Sequence, residues 1–168
     1  MLLWFAGGSF LAVWLVFRDP AIDYRLVMAG AILADVVDGL AAGGPWIGHT
    51  LLFAVTFLIA VMAGTRHRRL LRRRLLALPI GVFLHLVFDG AWLDREVFWW
   101  PAQGTSFPES GLASVERGGS GVLLELVGLA ILVWAWQRFR LAEPRRRRTF
   151  LATGRLGRDL VERSGNSA

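Results

Sequence analysis

The chain has 168 residues, of which 55% are hydrophobic and 19% are charged, and its formal net charge is +6. Soluble domains carry about 25% charged residues, and the apolar residues here come in long runs, so the composition argues against a soluble globular protein. The absence of cysteine excludes disulfides and thiolate metal ligands, and in a membrane protein the arginine excess reflects topology, with no need for a nucleic-acid partner.

Five apolar segments follow one another along the chain, and each predicts a transmembrane helix. They cover residues 2–17, 26–42, 50–64, 75–93 and 120–136. A crossing helix needs about 20 residues, with about 17 as the lower limit. We therefore expect the first and third segments to extend into flanking residues. The second is the weakest by hydropathy because it contains Asp35 and Asp38.

Arginine counts set the expected orientation. The link between the third and fourth segments, TRHRRLLRRR, holds six arginines, and nine more follow the fifth segment. The other side carries only Arg95 and Arg117. Because cytoplasmic loops are enriched in basic residues, we expect the N-terminus outside and the C-terminus in the cytoplasm.

The predicted fold class is therefore all-α: a polytopic membrane helical bundle of about five transmembrane helices. We expect residues 1–142 to form the membrane-embedded domain and residues 143–168 a basic cytoplasmic tail. The tail is either a solvated topology anchor or a contact for anionic lipid.

Ionisable residues within the spans are the candidate functional residues, because each costs about 2.5–3.5 kcal/mol at a helix centre. With a rise of 1.5 Å per residue, all of them fall in the outer half of the membrane. Asp35 and Asp38 share one helix face, as do His85 and Asp89. The full set is Asp35, Asp38, His85, Asp89 and Glu125, with His49 at a span end.

One divalent cation, or two, explains this set, because the carboxylates could not all stay ionised in a dry cluster without a cation. The predicted ligands are Asp35, Asp38, His49, His85 and Asp89, and a set without sulfur favours zinc or manganese over magnesium, with iron also accommodated. Alternatives remain open. His85 could be a hydrogen-bonded core residue, the two aspartates of the second segment could cap a re-entrant segment, and Glu125 could form a hydrogen bond to a neighbouring helix.

The pattern GAILADVVDG, GHTLLF, FLHLVFDG and FWWP, spread over residues 28–101, resembles the bacterial inner-membrane metal-dependent hydrolase family of the LexA-regulated type. The resemblance implies a multi-pass protein of the bacterial cytoplasmic membrane, and it carries over Asp35, Asp38, His49, His85 and Asp89 as the polar positions. A second resemblance, of DVVDGLAAG to the CDP-alcohol phosphatidyltransferase motif, is weaker because Gly43 replaces that motif's arginine.

The function expected from these features is hydrolysis of a lipid or lipid-linked ester or phosphoester at the extracytoplasmic face. A metal-activated water would be the nucleophile, with Asp38 or Glu125 as general base. The partner is membrane lipid, and a homo-oligomer remains open. The rival interpretation is a non-catalytic or transport-type membrane protein with a structural metal or ion site.

Overall fold

A computed structural model describes residues 1–40, 47–106 and 118–157, and this part of the chain is helical without β-strands. The all-α prediction is confirmed for it. Short 3₁₀ turns lie at Ile47–His49 and Ala91–Leu93. The α-helices are α1 (Leu2–Phe17), α2 (Tyr24–Leu40), α3 (Leu51–Gly64), α4 (Arg69–Leu75), α5 (Ala77–Asp89), α6 (Arg95–Phe98), α7 (Gly118–Arg138) and α8 (Pro144–Thr153).

The predicted segments correspond to helices, with one clear difference in extent. The first segment coincides with α1, and the fifth lies inside α7. The predicted end of the second, Ala42, lies outside the described residues. The fourth segment was expected to run from 75 to 93, but α5 has 13 residues and ends before Gly90, which adopts a left-handed conformation with φ 72°. Glycine takes that conformation without steric cost, so it terminates the helix there.

The centre of the fold is the contact between α2 and α5, whose backbones touch. A Cβ atom on Gly30 would lie 2.1 Å from the Leu78 carbonyl oxygen, and one on Gly81 would lie 2.1 Å from that of Val27. Only glycine permits this approach. The first helix packs against both, and α7 packs against α1. The close contact of α2 and α5 thus fixes the positions of the side chains near the C-terminal ends of these two helices.

The two ends of the bundle differ in chemistry. One end, here called the basic end, carries the last residues of α1, the first of α2, α4 and α8. There the expected tail folds back onto the body, because the Tyr24 amide donates to the Gly154 carbonyl and the Leu156 amide donates to the Pro20 carbonyl, both at 3.0 Å. The remainder of the tail, residues 158–168, lies outside the described residues. The opposite end carries the last turns of α2 and α5.

One helix in the described part of the chain, α7, is long and apolar enough to cross a membrane, over Ser120–Arg138. Only 11% of its apolar window is buried, so it is not a core helix of the bundle. The apolar helices α1 and α3 have 16 and 14 residues, short of the roughly 20 needed. The structure therefore supports one candidate span, and the five-span bundle stays a proposal.

Candidate metal centre

Two histidines and two aspartates from α2, α5 and the 3₁₀ turn before α3 converge at the end of the bundle opposite the basic end. The Nε2 atoms of His49 and His85 lie 3.0 Å apart. Asp35 Oδ1 is 3.7 Å from His49 Nε2 and 3.5 Å from His85 Nε2. Asp89 Oδ2 is 3.6 Å from His49 Nε2. One ligand atom from each of Asp35, His49 and His85 can lie within 4.8 Å of the other two.

His85 is oriented by the close approach of α5 to α2. It lies one turn before the end of α5, and its Nδ1 atom is 2.7 Å from the carbonyl oxygen of Ala31 on α2. A carbonyl can only accept, so Nδ1 carries the proton and donates. In the neutral ring, Nε2 is then left with a lone pair that points to His49.

His49 is oriented in the same way by Asp38. It belongs to the 3₁₀ turn before α3, and its Nδ1 atom is 2.5 Å from Asp38 Oδ2. The other carboxylate oxygen of Asp38 accepts from the Gly48 amide at 2.7 Å. Both oxygens of Asp38 thus fix the turn and the ring. A carboxylate that accepts from the distal nitrogen of a ligand histidine is the usual outer-shell partner in metal sites.

Two imidazole lone pairs that face each other at 3.0 Å repel unless a proton or a cation lies between them or beside them. Bond lengths of 2.0–2.1 Å in a tetrahedral zinc site place neighbouring ligand atoms about 3.3 Å apart. The three separations among Asp35, His49 and His85, which are 3.0, 3.5 and 3.7 Å, scatter around that value. The spacing therefore fits one small divalent cation.

Burial separates the members of the cluster into interior and entrance. The side chains of His49, His85 and Asp89 are at most 3% exposed, and that of Asp35 is 34% exposed. Phe5 of α1 covers His85, with ring centroids 4.0 Å apart. The cluster also lies at the C-terminal ends of α2 and α5, where the helix dipoles favour a cation. A ligand would reach the centre on the side of Asp35.

The sequence-predicted residues divide into three groups. The structure brings together Asp35, His49 and His85, with Asp89 beside them. Asp38, predicted as a ligand and as a base, contacts the back of the His49 ring instead. Glu125, predicted as a base, accepts from the Leu3 amide at 2.9 Å and lies 3.3 Å from the Met1 amine, at the contact of α1 and α7.

Two groups that contact His85 could not be predicted from the sequence. The Ala31 carbonyl that orients His85 is a backbone group, which no side-chain pattern identifies. Phe5 is one of many apolar residues in α1, and only the packing of α1 on α5 selects it as the cover of His85.

Comparisons with protein-family models, with curated proteins and with solved structures found no match to the chain.

Proposed function

We propose that the chain is a multi-pass protein of the bacterial cytoplasmic membrane and a metal-dependent hydrolase of a lipid or lipid-linked ester or phosphoester. The resemblance of its motifs to the inner-membrane hydrolase family supports this, as does the exposed apolar surface of α7. The observation that carries the proposal is the pair of Nε2 atoms at 3.0 Å, each on a ring whose Nδ1 already has an acceptor.

In this proposal His49, His85 and Asp35 hold the metal, and zinc, manganese or iron suits such a ligand set. When bound, the metal would polarise the scissile group and lower the pKa of a water molecule. Asp38 holds the His49 ring in its tautomer. Asp89, with Oδ2 3.6 Å from His49 Nε2, is the carboxylate placed to accept a proton beside the centre.

An apolar groove whose lining includes a direct chain neighbour of His85 supports a lipid as the substrate. It lies between α1, α3 and α5, has a volume of about 500 Å³ and is lined entirely by apolar residues. Its lining includes Leu84, which precedes His85, and Leu51, which follows His49 by two residues. Small-molecule sites occupy roughly 300–1,000 Å³. We assign the groove to the acyl chain of a lipid whose ester or phosphoester lies at the metal centre.

A structural metal in a non-catalytic or transport-type protein is the alternative. It is favoured by the near-complete burial of His49 and His85, since structural sites are closed. The partial exposure of Asp35 favours the catalytic form, which keeps one position open to substrate.

The test begins with metal content. We expect the full-length protein, purified in a neutral detergent, to contain about one equivalent of a divalent metal by elemental analysis. His85→Ala removes a ligand and should lose the metal. His67→Ala is the matched control, because His67 is the third histidine of the chain and lies exposed in the arginine-rich link. A metal-free wild type, or equal loss in both variants, contradicts the proposal.

Activity is tested separately by comparing membrane lipids from cells that express the wild type or Asp35→Asn. We expect a lipid species to be depleted, and its hydrolysis product to accumulate, only with the wild type. Metal binding without any lipid difference would favour the structural alternative.

A further inference from the structure

A second polar cleft lies at the basic end of the bundle. It has a volume of about 260 Å³ and is formed by the α1–α2 link, by α4 and by the end of α8. Its lining residues are Ala21, Asp23, Leu70, Arg73, Arg74, Ala152, Thr153 and Arg155. The cleft thus combines arginines that are far apart in the chain.

The walls of this cleft are held together by the buried carboxylate of Asp23. Arg74 Nε lies 2.9 Å and Arg25 Nη2 lies 3.1 Å from Asp23 Oδ2. The Arg25 guanidinium also donates to the carbonyl oxygens of Leu151 and Ala152 in α8. Arg25 and Arg74 therefore sit on a fixed frame, and the exposed Arg155, two residues after the end of α8, lines the same cleft.

Gly154 makes this junction possible. It adopts a left-handed conformation with φ 70°, and a Cβ atom there would lie 1.6 Å from Asp23 Oδ1. The last turn of α8 can therefore lie directly on Asp23 only because residue 154 is glycine.

The charge at the cleft is positive after its internal ion pairs are counted. Four arginines meet two aspartates there. Arg73 pairs with Asp19 at 3.2 Å, and Arg25 and Arg74 share Asp23. The fourth arginine, Arg155, also lines the cleft. Burial raises the pKa of Asp23, but the hydrogen bonds from Arg25 and Arg74, the charge of Arg25 and the Leu26 amide together hold it below its usual value, so this carboxylate stays ionised at neutral pH. Two positive charges remain for an anion.

We propose that this cleft binds the phosphate headgroup of an anionic membrane phospholipid. Arginine presents several N–H donors that match the oxygens of a phosphate. The side chains of Arg73 and Arg74 are 70% and 51% exposed, so they can reach such a group.

Apolar residues around the cleft identify the phosphate as that of a lipid and not of a soluble anion. Leu70 on α4 is 86% exposed and Leu151 on α8 is 62% exposed. Arginines next to exposed leucines on short helices are the pattern of a surface that lies in the headgroup region of a membrane.

The test uses the full-length protein in a neutral detergent and short-chain, soluble lipids. We expect dioctanoyl phosphatidylglycerol to bind, while dioctanoyl phosphatidylcholine and inorganic phosphate bind at least tenfold more weakly. The double variant Arg73→Gln/Arg155→Gln should weaken phosphatidylglycerol binding about tenfold or more, because it removes two charge-assisted contacts.

The matched control is Arg145→Gln/Arg148→Gln, which removes the same charge from exposed positions of α8 outside the cleft. This control should change the affinity for phosphatidylglycerol by less than about twofold, because it removes no contact between the cleft and the lipid phosphate. Equal weakening by both double variants would show a diffuse basic surface and overturn the site. Binding of inorganic phosphate as tight as that of the lipid would overturn the assignment to lipid.

A second variant guards against loss of the Arg73–Asp19 pair as a cause of misfolding. Leu70→Glu places a carboxylate at the rim on a side chain that is already exposed, so the fold should be retained by its melting temperature. Weaker phosphatidylglycerol binding by this variant supports the cleft, and unchanged binding contradicts it.

Discussion

Asp38 shows how a single contact changes the role of a residue. A ligand and an orienting group respond differently to substitution. In the proposed metal centre, the 2.5 Å contact with His49 Nδ1 makes Asp38 an orienting group. We therefore expect Asp38→Asn to weaken metal affinity about 10- to 100-fold without abolishing binding, as for other outer-shell partners. Competition with a chelating dye measures this. The metal-free variant should still fold, but with a lower melting temperature, because the amide of asparagine cannot accept both hydrogen bonds that the carboxylate accepts.

Asp94→Asn is the control for this substitution. Asp94 is also an aspartate near the same end of the bundle, but its carboxylate accepts from the Val97 amide at the start of α6. Its replacement should leave metal affinity unchanged. If Asp38→Asn lost the metal as completely as His85→Ala, Asp38 would be a direct ligand, as the sequence alone predicted.

The sequence predicted the side chains that converge in the structure, but it also predicted Glu125, which lies at the contact of α1 and α7. It could not divide the set into ligands and supports. Spacings of three and four residues place Asp35 with Asp38 and His85 with Asp89 on shared helix faces. Which carboxylate faces the histidines depends on the rotation of α2 against α5. That rotation is set by backbone contact at Gly30 and Gly81, and a hydropathy pattern does not record it.

At the scale of elements, the site depends on the closeness of α2 and α5. A Cβ atom on Gly30 would lie 2.1 Å from the Leu78 carbonyl oxygen, so Gly30→Ala must move the helices apart. We expect a loss of about 1–3 kcal/mol in the free energy of unfolding, as for other overpacked contacts. Metal content should fall as well, because His85 would lose its bond to Ala31.

Gly39→Ala provides the comparison within the same helix. A Cβ atom on Gly39 would meet nothing within 4 Å, so this substitution should preserve both the melting temperature and the metal content. If Gly30→Ala behaved like Gly39→Ala, the close contact of the two helices would not be what positions the site.

Helix existence was easier to predict than helix extent. Long apolar runs predicted each helix that carries the site. The fourth run, however, gave no sign of two helix boundaries: α4 ends just before Ala77, and α5 ends before Gly90. Apolar residues continue through both breaks, so hydropathy does not detect them. The left-handed conformation of Gly90 could be expected only from its place after a helix.

At the scale of the whole molecule, the open question is how many helices cross the membrane. Within the described residues, α7 alone is long and apolar enough to cross a membrane. Exposed apolar side chains also cover other helices, for example Leu15 and Val16 on α1 and Ile59 on α3, each more than half exposed. Such surface is costly in water, which favours the five-span arrangement. The short helices would then require local thinning of the bilayer or help from flanking residues.

Single-cysteine labelling separates the two arrangements, and the chain has no native cysteine to interfere. The exposed positions Leu70, Ala102 and Ala142 lie, in order, after α3, after α6 and after α7. With five spans, an impermeant maleimide applied to intact cells should label Ala102→Cys and spare Leu70→Cys and Ala142→Cys. If only α7 crosses, Leu70→Cys and Ala102→Cys must react alike while Ala142→Cys differs from both. That second result would place the basic cleft and the candidate metal centre on one side of the membrane, and the two proposed lipid sites could no longer face opposite leaflets.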